Sequence, residues 1–173
     1  MATITNQAAL SYNGVTTLSN IAVGELVEVL TATKTAADTT YTAGGVKTFV
    51  ISLVNSSAAA LTGLTVTDTL GSYTFGANTL YPLTYSAGSL LYYVNGVLQA
   101  TPTVAADAPL TVTGITVPAG GSAMLIYTAR VNEYAPLGVE DSITNTATIT
   151  GGGLTSSVTA TETINAAPAP QLS

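Results

Sequence analysis

Apolar and polar residues alternate with a period of two along almost the whole chain, and no stretch repeats at the spacing of a helix. Ala2, Ile4, Asn6, Ala8, Leu10 and Tyr12 share one face of a first strand. Asn13-Gly14 then supplies a tight hairpin turn, and a return strand runs through residues 15–23. Leu30, Ala32 and Lys34 share the face of the next strand, as do Phe49, Ile51 and Leu53 in TFVISLVN, and Leu64, Val66 and Asp68 in LTVTDTL. A second Asn-Gly turn at residues 95–96 separates LLYYV from VLQA. PLTVTGITV follows, then a turn over residues 118–121, then SAMLIYTARV with Ala123, Leu125, Tyr127 and Ala129 inward. SITNTATIT and LTSSVTATETI close the series around Gly151–Gly153. Short alternating strands between evenly spaced turn signals predict an all-β, antiparallel β-sandwich. The organisation read from this pattern is an N-terminal β-arm over residues 1–23, a sandwich over 24–165 and a Pro/Ala-rich tail over 166–173.

Composition narrows what such a sandwich can do. The 173 residues include three basic and nine acidic side chains and no His, Cys or Trp. Charged residues make up 7% of the chain, against about a quarter in an ordinary globular protein. A net charge of −6 with three cations cannot track a phosphate backbone, so nucleic acid is not an expected partner. No apolar run approaches the ~20 residues of a membrane span. MATITNQ lacks a basic n-region and an apolar h-region, so no secretion signal is expected at this end. Without His or Cys there is no Ser–His or Cys–His pair, and an enzyme with a small-molecule substrate is not expected. No metal or cofactor is expected either: Glu140-Asp141 reads as a solvated pair of loop acids. Asn55-Ser56-Ser57 fits a glycosylation acceptor, but Asn55 falls on the core face of its strand. Tyr73, Tyr81, Tyr85, Tyr92 and Tyr93 read as an apolar cap over one end of the sandwich or as a subunit contact.

Several phrases together carry a family likeness. KTA (34–36), TFVISLVNSS (48–57), LTVTDTL (64–70), VPAGGSAMLIYTARV (117–131) and ITNTATIT (143–150) resemble the "conserved repeat domain" of bacterial surface proteins, a domain of unknown function. The likeness covers roughly residues 28–165, anchored on Lys34, Asn55, Asp68, Gly120 and Asn145. It departs at Gly71, where the family usually has Pro. It implies an immunoglobulin-like sandwich, strung in arrays along exported fibrous or adhesive proteins, and a structural role on the cell surface.

The chain also repeats itself. ITNQAALSYNGVTT (4–17) matches ITNTATITGGGLTS (143–156) at six of fourteen positions. In arrays of the resembled family, the last strands of one domain lead into the first strand of the next. Residues 1–23 therefore read as a closing hairpin without its own domain, with Ile4, Asn6, Ala8, Leu10 and Tyr12 as the face that meets another subunit. A free strand added to an open sheet edge gains a ladder of main-chain hydrogen bonds. A contact between different surfaces on two copies propagates into a filament. The expected protein is a homo-polymer on an extracellular, cell-surface or spore-surface structure. The alternatives are an arm folded back on its own body, and a monomeric stalk or adhesion module of a longer surface protein.

Three polar residues fall on apolar faces: Lys34 with Leu30 and Ala32, Asp68 with Leu64 and Val66, and Asn145 with Ile143, Ala147 and Ile149. Burying an unpaired lysine or aspartate costs several kcal/mol. One reading is a self-formed isopeptide bond, with Lys34 as nucleophile, Asn145 as carbonyl donor and Asp68 as proton shuttle. An apolar site favours the neutral amine and the neutral acid, which that reaction needs. Pilin and adhesin sandwiches of Gram-positive bacteria use the same Lys/Asn/acid set. The other reading is a Lys34–Asp68 ion pair with Asn145 capping backbone groups. Asn6, which copies Asn145 in the arm, raises the further option of a contact with a neighbour's Lys47.

Overall fold

The computed structural model describes residues 3–25 and 28–167, and every regular element among them is a strand. The arm holds β1 (Thr3–Asn6), β2 (Ala9–Tyr12), β3 (Val15–Leu18) and β4 (Ala22–Glu25). The body begins with β5 (Leu30–Ala36), β6 (Thr40–Tyr41), β7 (Val46–Asn55) and β8 (Leu61–Asp68). Short strands follow: β9 (Tyr73–Phe75), β10 (Asn78–Leu80), β11 (Leu83–Tyr85), β12 (Leu91–Val94) and β13 (Val97–Leu98). It closes with β14 (Thr103–Asp107), β15 (Leu110–Val117), β16 (Ser122–Val131), β17 (Ser142–Gly151) and β18 (Val158–Ala166).

Two six-stranded sheets form the sandwich. The first runs β13-β12-β16-β7-β5, with β11 also on β16. The second runs β14-β15-β8-β17-β18-β6. Pairing is antiparallel except between β18 and β6, which meet in parallel over two residue pairs. The inward rows are those set by alternation. Phe49, Ile51, Leu53, Leu125 and Tyr127 come from one sheet, and Leu64, Val66, Val112, Ile143 and Ile149 from the other, all buried. Phe49 pairs with Tyr127 across β7 and β16, and their rings stack at 5.5 Å. Both Asn-Gly turns carry positive φ at each central residue, as a type I′ hairpin requires: 48° and 76° at Asn13-Gly14, 46° and 79° at Asn95-Gly96.

The arm differs from the single pair of strands read from the sequence. Its two ladders have different registers, with Asn6 opposite Ala22 but Ala9 opposite Leu18. Gln7 and Ala8 on the outgoing side thus face Ser19, Asn20 and Ile21 on the return side, and the extra residue makes a bulge. Ser19 stitches it: its N–H donates to Ala8 O at 2.8 Å, its Oγ accepts from Ala8 N at 2.9 Å, and Gln7 Nε2 donates to its carbonyl at 2.8 Å. The arm's last ladder continues to Glu25, two residues beyond the expected boundary. At the other end β18 runs to Ala166, and Ala167 N donates to Tyr41 O at 2.8 Å, so the start of the expected tail belongs to the sheet. Ala2 and residues 168–173 lie outside the described residues.

Candidate functional site: a buried lysine, aspartate and asparagine

Lys34 on β5, Asp68 at the end of β8 and Asn145 on β17 are all buried between the sheets, at 4%, 1% and 0% exposure. Their placement follows from the pleat. β5 pairs with β7 so that Lys34 stands opposite Ile51, an inward residue. β17 pairs with β8 so that Asp68 stands opposite Ala147, one inward step from Asn145. Lys34 and Asp68 therefore face each other from opposite sheets, and Lys34 Nζ donates to Asp68 Oδ2.

A fourth residue joins them. Tyr127, on β16 in the lysine's sheet, donates its hydroxyl proton to Asp68 Oδ2 at 2.7 Å and accepts from Asn145 Nδ2 at 3.1 Å. The Asn145 carbonyl oxygen accepts from Gly71 N at 3.2 Å and from Thr69 Oγ1 at 3.3 Å. Since Gly71 N–H can only donate, these partners also fix which end of the amide is oxygen. Asp68 Oδ1 accepts from Leu70 N at 3.0 Å. No buried side-chain nitrogen or oxygen among the described residues lacks a partner.

The turn after β8 makes this possible. Leu70 and Gly71 both have positive φ, 52° and 71°. For a buried leucine this conformation costs on the order of 1 kcal/mol, and it is held because the turn's two successive N–H groups serve Asp68 and Asn145. Gly71 stands where the resembled family has Pro, and it supplies an N–H that proline does not have.

Burial dominates the electrostatics. Desolvation lowers the Lys34 amine to about 8, against the opposing pull of Asp68 and, more weakly, of Glu162. Desolvation, reinforced by the Asp68 charge, pushes the Tyr127 phenol well above its usual range. The ammonium also lies 5.2 Å from the Phe49 ring centre and 5.9 Å from that of Tyr127, which favours its charged form. The cluster thus forms an ion pair, and through Tyr127 the same network includes the Asn145 side-chain amide.

One member of the network and one nearby charge are missing from the sequence-based set. Alternation places Tyr127 in the core as an apolar residue, although a buried tyrosine hydroxyl needs a partner. Glu162 is the other: it pairs with Asn145 across β17 and β18 and lies half-buried on the same face. The Ala160–Glu162–Ile164 alternation carries that signal.

The remaining expectations sort as follows. Lys47 is buried near β6, donating to Asp38 Oδ2 at 2.9 Å and to Thr40 O, so its amine is already engaged. Asn55 is fully buried, holding Ala59 O at 2.8 Å and Pro118 O at 3.0 Å, which puts it out of reach of a glycosyl donor. Of the tyrosines, Tyr85 and Tyr92 are buried, Tyr81 and Tyr93 are half-buried and Tyr73 is exposed. Asp141 accepts from Gly138 N at 2.6 Å, and no cluster of acids suited to a metal occurs among the described residues.

In the arm, Asn6, Ala8, Leu10 and Tyr12 are exposed, Leu10 and Tyr12 at 72% and 77%. Ile4 lies in β1 opposite Gly24. The five do not form one strand face, because the bulge interrupts the ladder and Ala8 sits within it. Tyr12 pairs with Val15 and Leu10 with Thr17, which leaves an apolar face on the outer hairpin with no partner among the described residues.

No family model and no curated protein matches the chain. Solved structures do. A pilus backbone protein of Streptococcus pneumoniae, RrgB, matches with a TM-score of 0.54 at 14% identity, over 70% of this chain and 31% of that one. A variant of BcpA, the major pilin subunit of Bacillus cereus, matches with a TM-score of 0.55 at 15% identity, over 95% and 48%. The N-terminal domain of the Streptococcus gordonii adhesin Sgo0707 matches with a TM-score of 0.54 at 13% identity, over 88% and 36%. The chain is an immunoglobulin-like antiparallel β-sandwich with an N-terminal hairpin arm. It spans about a third to a half of the length of these relatives in fold. A family 123 glycoside hydrolase of Clostridium perfringens shares the fold at 9% identity and a TM-score of 0.50, so the sandwich by itself assigns no activity.

Proposed function

We propose that the protein is a structural subunit of a bacterial extracellular or spore-surface filament, polymerising head to tail by lending its N-terminal hairpin to the next copy. The observation that carries this reading is the arm. It presents Leu10, Tyr12 and Val15 to solvent, and its residues 4–17 copy the strand and turn that close the sandwich. Apolar groups exposed together mark a surface built to be covered. The body offers open edges to receive a strand, since β18 is paired on its outer side only at Asn165 and Ala166. The fold shared with pilins supports the same reading. Purified protein viewed by negative-stain microscopy should form fibres, and deletion of residues 1–23 should abolish them. Fibres that persist after the deletion would remove the arm from the mechanism.

The partial coverage of longer pilins and an adhesin favours a second reading, a stalk or adhesion module within a longer surface protein. Monodisperse particles of the intact chain would favour this reading over the first.

Within the sandwich, Lys34 and Asn145 are proposed to join through an isopeptide bond with loss of ammonia. The bond would link the first body strand to the last but one, across the two sheets. Tension entering at the arm and leaving by β18 would then bypass residues 35–144. Intact mass lower than the sequence mass by one ammonia, restored in Lys34→Ala and Asn145→Ala, is the expected result. A full sequence mass in the wild type leaves the ion pair in its place.

A further inference from the structure

From the geometry around Asn145 we infer that Thr69 and the Gly71 N–H form an oxyanion cradle for crosslink formation, and that Tyr127 carries the proton to the departing ammonia. This inference rests on the isopeptide reading above, and names the groups that would make it proceed.

Three neighbours hold the two ends of the amide. Gly71 N at 3.2 Å and Thr69 Oγ1 at 3.3 Å point at the carbonyl oxygen, and the Tyr127 hydroxyl stands 3.1 Å from the nitrogen. The Thr69 hydroxyl is not free to turn. It accepts from Thr146 N at 3.1 Å, which directs its own proton toward Asn145. Both donors are longer than a typical hydrogen bond, which leaves room for them to shorten as negative charge gathers on the oxygen. Donors that tighten only in the transition state speed a reaction.

The protons balance along the same contacts. The Lys34 ammonium gives one proton to Asp68, its ion-pair partner, leaving a neutral amine and a neutral acid. The amine forms a bond to Asn145 Cγ, and the carbonyl electron pair moves onto Oδ1 within the cradle. The Tyr127 hydroxyl, which donates to Asp68 Oδ2 at rest, turns its proton toward Nδ2 once the carboxyl is protonated and the amide nitrogen has become tetrahedral. Asp68 then passes its proton to the Tyr127 oxygen, 2.7 Å away, as the Tyr127 proton moves to Nδ2. The Cγ–Nδ2 bond breaks and ammonia leaves. The attacking nitrogen releases its second proton to Asp68, and an amide remains. Nothing is oxidised or reduced, and no co-reactant is needed.

The test follows the full chain after a short pulse of cell-free synthesis, with intact mass read over time. Wild type should lose one ammonia. Thr69→Val should slow that loss about 10–100-fold, and Thr69→Ser should restore it to within a few-fold. Tyr127→Phe should slow it about 100-fold. Rates are taken on soluble protein with a dispersed, native-like backbone amide NMR spectrum, so a merely structural role would leave them unchanged. If Thr69→Val yields no such protein, Thr69→Cys, a similar size with a weak donor, replaces it under the same criteria. A wild type that keeps its full mass overturns the isopeptide reading and this inference together. A wild type that reacts, with Thr69→Val keeping pace, overturns the cradle alone.

Discussion

Asn145 reaches across the sandwich to Tyr127, its amide donating to the phenol oxygen at 3.1 Å. The two residues belong to different sheets, and through Tyr127 the amide is connected to the carboxylate that holds Lys34. The cluster is thus one network, and removing part of it should be costlier than removing it whole. Asp68→Ala leaves a buried amine without its counter-charge. Lys34→Met in addition should return about 3–5 kcal/mol of stability, read by urea unfolding. Neither variant can form the crosslink and neither holds the ion pair, so the comparison measures the cost of the unpaired buried amine. Equal stability of the single and double variants would mean that water reaches Lys34 after Asp68 is removed.

Among the residues whose burial is described, 5–23 of the arm are all exposed and the buried core begins at Leu30. Deleting residues 1–23 should therefore leave the melting temperature of the body within a few degrees of the intact chain. A large drop would place the arm on its own body, the folded-back alternative.

Gly71 is constrained twice, by its positive φ and by its surroundings. An added Cβ would run into Ile143 Cγ2 and come within 3.2 Å of Pro82 Cγ. Gly120 has a similar φ of 59° but open space around it. Gly120→Ala should cost about 1 kcal/mol, the backbone share alone. Gly71→Ala should cost at least about 2 kcal/mol, since Ile143 has to move as well. Thermal unfolding of the two variants side by side gives the difference.

Much of this was legible in the sequence because a strand has a strict period. Lys34, Asp68 and Asn145 each sit two residues from an apolar neighbour, and that spacing alone turns them inward. The two Asn-Gly turns were legible for a local reason, the ease with which those residues adopt positive φ. What depends on two distant segments was not. The Ser19 bulge arises from unequal residue counts on two strands, which neither strand reveals alone. The role of Tyr127 depends on which strand of the facing sheet lies over Asp68. In the sequence Gly71 is a mere departure from a turn pattern, and its N–H acquires meaning only once Asn145 is seen beside it.

A covalent bond between Lys34 and Asn145 would have a mechanical signature. Pulled between its termini, the wild-type domain should extend only outside the Lys34–Asn145 span. Lys34→Ala should release the whole body in a longer step. Force spectroscopy showing equal extension for both proteins would contradict a covalent bridge.

The pH dependence of stability would report such a bond by another route. As a free amine, Lys34 titrates at about 8 in the folded protein and near 10.5 when unfolded. Between those values the unfolded chain binds a proton that the folded one does not, so folding becomes more favourable as pH rises. Below pH 8 both states are protonated and the gain is absent. Across the full interval it amounts to about 3 kcal/mol, because a tenfold change in proton affinity is worth about 1.4 kcal/mol. Tyr127, whose phenol is raised in the fold, opposes this above about pH 10, so the clean window is roughly pH 8 to 9.5. In that window, urea unfolding of Asn145→Ala, which keeps the amine, should show stability climbing with pH. A wild type joined through the isopeptide bond would carry an amide at Lys34 and should stay flat. A wild type that climbs as steeply as the variant would mean that its Lys34 is still an amine.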